Sequence, residues 1–125
     1  MKRDELQERT KSFALRVLKL IEHLPKIIGG RVLANQPARN AGSVGANYRA
    51  ACRARSRAEF ALQLGTVAEE SDESLYWLEL IRVGHFISQK RIAPLIFEAN
   101  ELTAIFTTGC RTSSQNQTST IKPQT

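Results

Sequence analysis

Six arginines, Arg31, Arg39, Arg49, Arg53, Arg55 and Arg57, lie within residues 31–58, and no acid stands among them. A guanidinium presents fixed N–H donors that match phosphate oxygens, so a run of arginines without acids is suited to holding a polyanion. The next stretch has the opposite character. Residues 59–91 carry six acids against three bases, with Glu69, Glu70, Asp72 and Glu73 close together. Clustered carboxylates can serve acid–base chemistry or hold a metal, but the residues such sites need alongside them are missing. A di-iron site in a helical bundle uses Glu-x-x-His pairs, and neither His23 nor His85 has a glutamate three residues before it. Cys52 and Cys110 stand far apart and share no metal-ligand spacing. No glycine-rich phosphate loop follows a strand, and no serine or cysteine nucleophile has an orienting base. The expectation is a protein without catalysis, metal or cofactor, in which the acids partner arginines and buried amides.

These charges must be positioned by helices. Asp4 to about Leu24 reads as an amphipathic helix, with Leu6, Phe13, Val17, Leu20, Ile21 and Leu24 at three-and-four spacing. Its acids stand near the start, and His23 near the end complements the helix dipole. Residues 26–56 contain glycines and Pro37, yet a wheel at 100° per residue separates them cleanly. Leu33, Pro37, Val44, Tyr48 and Ala51 fall on one side. Arg31, Arg39, Arg49, Arg53 and Arg57 fall within about 80° on the other. The spacing predicts a long second helix, kinked at or beside Pro37. Ser56 and Glu59 form a capping box that opens a third helix running to about Val83, with Gly84 as terminator. A fourth helix follows, marked by Ile92, Leu95, Ile96, Ala99, Leu102, Ile105 and Phe106.

Four helices with short connections predict an all-α, antiparallel up-down-up-down bundle over residues 1–110. The polar stretch from 111 to 125 lacks apolar periodicity and is expected to be a disordered tail. With the turn between helices two and three near Ser56, Arg39 lies level with Glu73, Gly42 with Glu70 and Asn47 with Gly65. Asn40, Ser43 and Asn47 then form a polar row facing Glu69 to Glu73, and Gly42 and Gly65 allow close backbone approach. Arg55 projects to the apolar side of the wheel and suits a pairing role. Tyr76 and Trp77 suit core or interface anchors better than base-stacking residues.

The segments K-S-F-A-L-R-V-L-K-L, S-V-G-A-N-Y-R-A, R-A-R-S-R-A-E-F, E-S-D-E-S-L-Y-W-L-E-L and E-A-N-E-L-T-A-I-F carry a resemblance. In that order, over about residues 3–110, they closely resemble the four-helix bundle family of ribosomal RNA intervening-sequence proteins. The family is similar in fold to the accessory variability determinant of diversity-generating retroelements. The resemblance implies a homopentameric barrel of four-helix protomers. Through that retroelement relative it also implies RNA or DNA binding and a reverse transcriptase partner. The family's landmarks fall here on Ser43, Gly45, Asn47, Tyr48, Arg49, Arg53 and Ser56, then on Glu70, Asp72, Glu73, Trp77, Glu98, Glu101 and Leu102. Pro37 stands where a leucine is common, and Ala50 where an acid is common, which leaves the arginine strip more basic.

The bulk numbers agree with one globular domain of 125 residues, 42% hydrophobic, with a formal net charge of +6. Residues 1–30 contribute +3 and residues 92–125 nothing, so the excess is that of the arginine stretch. A charged N-terminus and two isolated thiols are expected of a cytoplasmic protein, and no membrane-spanning segment is expected. Two uses of the arginines follow: contact with nucleic-acid phosphates, or pairing with the acidic third helix of a neighbouring subunit in a pure interaction scaffold. On either reading Arg31, Arg39, Arg49, Arg53 and Arg57 are the binding residues. Asn40, Ser43, Asn47, Glu69, Glu70, Asp72, Glu73 and Trp77 are the polar-layer or oligomer residues.

Overall fold

A computed structural model describes residues 1–121, with side chains for residues 1–114. It holds four helices: α1 (Arg3–Ile21), α2 (Gly30–Cys52), α3 (Arg57–Val83) and α4 (Gln89–Ile121). Each packs on its neighbour in the chain, and α1 closes on α4 through the sparsest seam. The result is an all-helical bundle, and no strand occurs among the described residues. None of these helices is long and apolar enough to cross a membrane.

The core follows from the four-and-three spacing of buried positions. On α1 these are Leu6, Thr10, Phe13, Val17 and Leu20. On α2 they include Leu33, Pro37, Val44, Tyr48 and Ala51. Ile92, Leu95, Ala99, Leu102 and Phe106 complete the set from α4. The α3 helix buries Leu64, Val67, Leu75, Leu78 and Ile81 but also exposes Leu62, Tyr76, Leu80 and Val83. It is therefore apolar on two sides, which a helix serving one core does not require.

The helix ends show why the chain turns where it does. Ser56 accepts from the Glu59 amide at 3.1 Å, and Glu59 Oε2 accepts from the Arg55 amide at 3.1 Å. This reciprocal cap opens α3 at Arg57 and separates it from α2. At the far end Gly84 keeps a right-handed φ of −77°, and His85 takes the left-handed φ of 58°. Gly84 is required for a different reason: a Cβ there would lie 2.3 Å from the Phe86 ring. The α4 helix continues past Arg111 to Ile121, through the segment expected to be a disordered tail. The sequence T-S-S-Q-N-Q-T contains neither glycine nor proline, so nothing in it stops a helix already begun. Residues 122–125 of the expected tail lie outside the described residues.

Contacts between helices occur level by level. Asn40 meets Glu70 and Glu73, Arg9 meets Glu98, His23 meets Arg91, and Gly109 lies against Leu64. On the α1 side of α2, a Cβ added at Gly45 would make only ordinary contact with Thr10, at 3.5–3.7 Å. Gly42 and Gly65 do not bring α2 and α3 together as expected. A Cβ added at Gly42 would meet nothing within 4 Å, and one at Gly65 would meet Cys110 of α4.

Tyr48 is 4% exposed, and its ring lies 5.3 Å from Phe106 across the core. Burial, with the Cys52 thiol beside it, pushes the phenol up to about 12 from its ordinary value of 10.0. Because the folded value is the higher one, the stability it represents is complete below pH 10 and is lost as pH rises toward 12. Thermal melts should therefore fall more steeply over that interval for the native chain than for Tyr48→Phe. Parallel curves would refute the assignment.

A basic helix face beside a buried polar pair

Arg31, Arg39, Arg49 and Arg53 are all exposed on the side of α2 opposite its buried residues, and none enters an ion pair among the described residues. α2 itself carries no acid. Arg57, expected on the same strip, is instead the first residue of α3. The Ser56 cap breaks the helical phase before it. Arg49 in the last turn and Arg53 at the C-cap also complement the helix dipole, which accounts for part of their placement.

The two edges of this face differ. Toward α1, Arg49 and Arg53 join Gln7 and Lys11 to line a groove of about 240 Å³. Lys11 Nζ also reaches Glu8 at 3.6 Å in an exposed pair, a kind of pair that contributes little. Sequence reasoning missed Gln7 and Lys11. Their one-turn spacing matches that of Arg49 and Arg53, but only the packing of α1 on α2 brings the two pairs together. At the foot of the face Arg3 lies over the Phe60 ring at 5.4 Å, and Arg3, Arg55 and Arg57 share a second hollow with Ser56 and Phe60.

Toward α3 the face meets a polar pair. Asn40 is fully buried, and its Nδ2 donates to Glu70 Oε2 at 3.0 Å and to Glu73 Oε2 at 2.6 Å. The other members of the expected row are not brought into that pair. Asn47 donates to the Ser43 carbonyl of its own helix at 2.8 Å, and Glu69 and Asp72 are exposed without an ion pair among the described residues. Trp77 is half-buried against the core, edge-on to Tyr76, which is 57% exposed.

A second charged cluster, unforeseen from the sequence, closes the sparse seam. The Arg9 fork donates to both oxygens of Glu98, at 2.7 and 2.6 Å, and also to Glu101. Glu98 raises the guanidinium still further above its already high value. Such bidentate geometry is the stronger kind of ion pair and fixes α1 against α4. In the turn just after α1, His23 accepts from Arg91 of α4 at 3.0 Å, so it tethers that turn to α4. Among the described residues, no group of three or more His, Cys, Asp or Glu is placed to hold a metal ion.

The family model of the 23S rRNA-intervening sequence protein matches residues 2–108. Among solved structures the chain is similar to a protein of unknown function from the S23 ribosomal protein family of Bacteroides thetaiotaomicron. The two are 28% identical with a TM-score of 0.79, over 89% of this chain and 99% of the other. No curated protein matches the chain.

Proposed function

Because the chain belongs to the 23S rRNA-intervening sequence protein family, we propose that it is a non-catalytic, homo-oligomeric, nucleic-acid-binding accessory protein that uses the basic face of α2. The observation that carries this reading is the exposure of Arg31, Arg39, Arg49 and Arg53 on a helix with no acid of its own. Arginines in that state present donors to phosphate without first having to leave a carboxylate. Contact is with the backbone, so affinity depends on salt and little on sequence. The protomer is an antiparallel up-down-up-down bundle whose second helix bends at Pro37, where Leu33 loses the amide its carbonyl would otherwise accept from.

Self-association is supported by α3. Leu62, Thr66, Glu69, Glu73, Tyr76, Leu80 and Val83 recur at alternating four- and three-residue spacing, and every one is exposed. That is the pattern of a helix–helix seam. The resemblance makes the oligomer a pentamer, with a mass about five times the 14.0 kDa of one chain.

A low-salt titration with labelled RNA and DNA tests the reading. Binding should weaken log-linearly with salt, with a slope of about −0.7 per phosphate contact on a single strand. Arg49→Gln, Arg53→Gln and Arg57→Gln together should cut affinity about a hundredfold. Absence of binding at low salt would refute it. The exposed acids Glu69 and Asp72 favour a second reading, a pure interaction scaffold whose arginines pair between subunits. In that case the same triple variant falls to a smaller mass in light scattering, and the native protein shows no affinity for nucleic acid.

A further inference from the structure

We infer that the groove between α1 and α2 is a discrete phosphate subsite, in which Lys11, Arg49 and Arg53 clamp one backbone phosphate and Gln7 adds a neutral hydrogen bond. The inference rests on the nucleic-acid reading above and divides its arginine strip into parts with unequal duties.

Four features single the groove out. It is lined by Gln7, Lys11, Arg49 and Arg53, three cations and an amide, with no carboxylate in its wall. Its volume of about 240 Å³ equals that of roughly eight liquid waters at ~30 Å³ each, ample for a phosphodiester. Its residues come as two pairs one helical turn apart, so each pair stands on one face of its helix. The two faces meet in the α1–α2 seam, where Thr10, next to Lys11, stands opposite Gly45, one turn from Arg49. The groove is thus part of the packed α1–α2 seam, and its walls do not need to move to form it.

Electrostatics point the same way. Three neighbouring cations repel one another, and an anion between them removes that repulsion while accepting several charge-assisted hydrogen bonds. Glu8, which pairs with Lys11, does so at 3.6 Å on an exposed surface. The C-terminal dipole of α2 opposes an anion here, but with an effect near half a charge against three full ones. The hollow that gathers Arg3, Arg55 and Arg57 lies beyond the end of α2, and along α2 itself the groove is where its arginines meet cations of another helix. Arg31 lines a wide hollow of about 740 Å³ together with Glu22, and Arg39 lines none of the described cavities.

The test is fluorescence anisotropy with a labelled single-stranded RNA oligonucleotide at low salt, comparing variants of equal charge. Lys11→Gln, Arg49→Gln and Arg53→Gln should each weaken binding about tenfold, as loss of a charged hydrogen bond does. Together they should lower the salt slope by about 0.7, one phosphate contact. Arg31→Gln and Arg39→Gln should each change affinity less than about twofold, within the reach of long-range charge alone. Gln7→Ala, which alters no charge, should weaken binding about threefold with the salt slope unchanged. All these side chains are half-buried or exposed, so the variants should melt with the native protein. Equal losses at groove and control positions would overturn the subsite and leave the nucleic-acid reading standing. A native protein that binds no oligonucleotide would overturn that reading. Inorganic phosphate separates the source of the anion: thermal stabilisation by millimolar phosphate, abolished by Arg49→Gln with Arg53→Gln, would keep the subsite with free phosphate as its ligand. Without either response the subsite falls as well.

Discussion

Asn40→Asp should leave the protein largely unfolded at pH 8 and restore much of its stability near pH 4. Asn40 is fully buried, and its amide nitrogen serves two carboxylates at once, Glu70 at 3.0 Å and Glu73 at 2.6 Å. Its own Oδ1 is buried without a partner among the described residues, so the donating end explains the choice of asparagine. Aspartate replaces that donor with a third negative charge at a site where none of the described ion pairs supplies a cation. Uncompensated buried charge costs about 3–5 kcal/mol, a large part of the ~5–15 kcal/mol that holds a domain folded. Burial and two like charges raise the new carboxyl above its ordinary value near 4. Its neutral form is then complete below that value, and stability is lost as pH rises through the raised one. Melts at pH 4.5 and 8 should differ strongly for Asn40→Asp and little for Asn40→Leu, which removes the donor without adding charge. A native-like midpoint for the aspartate variant at pH 8 would show that this layer is solvated.

The same pair shows where sequence reasoning reaches and where it stops. Apolar spacing located all four helices, and the Ser56–Glu59 cap placed the start of α3 at the residue observed. Counting outward from that turn brought Asn40 to the level of Glu70 and Glu73. The count fails for residues whose partners lie across a different seam. Arg9 meets Glu98 and Glu101 eighty-nine and ninety-two residues away, and nothing within α1 or α4 alone marks the match. Lys11 and Gln7 read as ordinary surface residues until α1 is set beside α2. A backbone break misleads in a second way. The wheel carried the α2 phase through to Arg57, although the cap at Ser56 resets it.

Phe106→Ala should produce the largest loss of stability among single changes outside the polar layer, about 3–5 kcal/mol. Phe106 is 1% exposed and lies tilted at 49° to Tyr48, with ring centroids 5.3 Å apart. The pair joins α2 to α4, which otherwise face one another across the core without close backbone contact. Its removal leaves a cavity that the helices can close only by shifting, and the ring-to-ring attraction, about 0.5–1.5 kcal/mol, goes with it. The consequence should reach the basic face. Tyr48 neighbours Arg49 in the turn that carries the α1–α2 groove, so loosening Tyr48 blurs the geometry of Arg49 and Arg53 before the bundle unfolds. Chemical denaturation should show a midpoint far below that of the native chain. Phe97→Ala, on a ring 65% exposed on the same helix, should shift it within about 0.5 kcal/mol. Under native conditions the surviving folded fraction of Phe106→Ala should bind RNA more weakly than its population predicts. Loss of binding strictly proportional to the unfolded fraction would instead mean that the groove holds its shape without the aromatic pair. The packing of α1 on α2 would then be enough to set it.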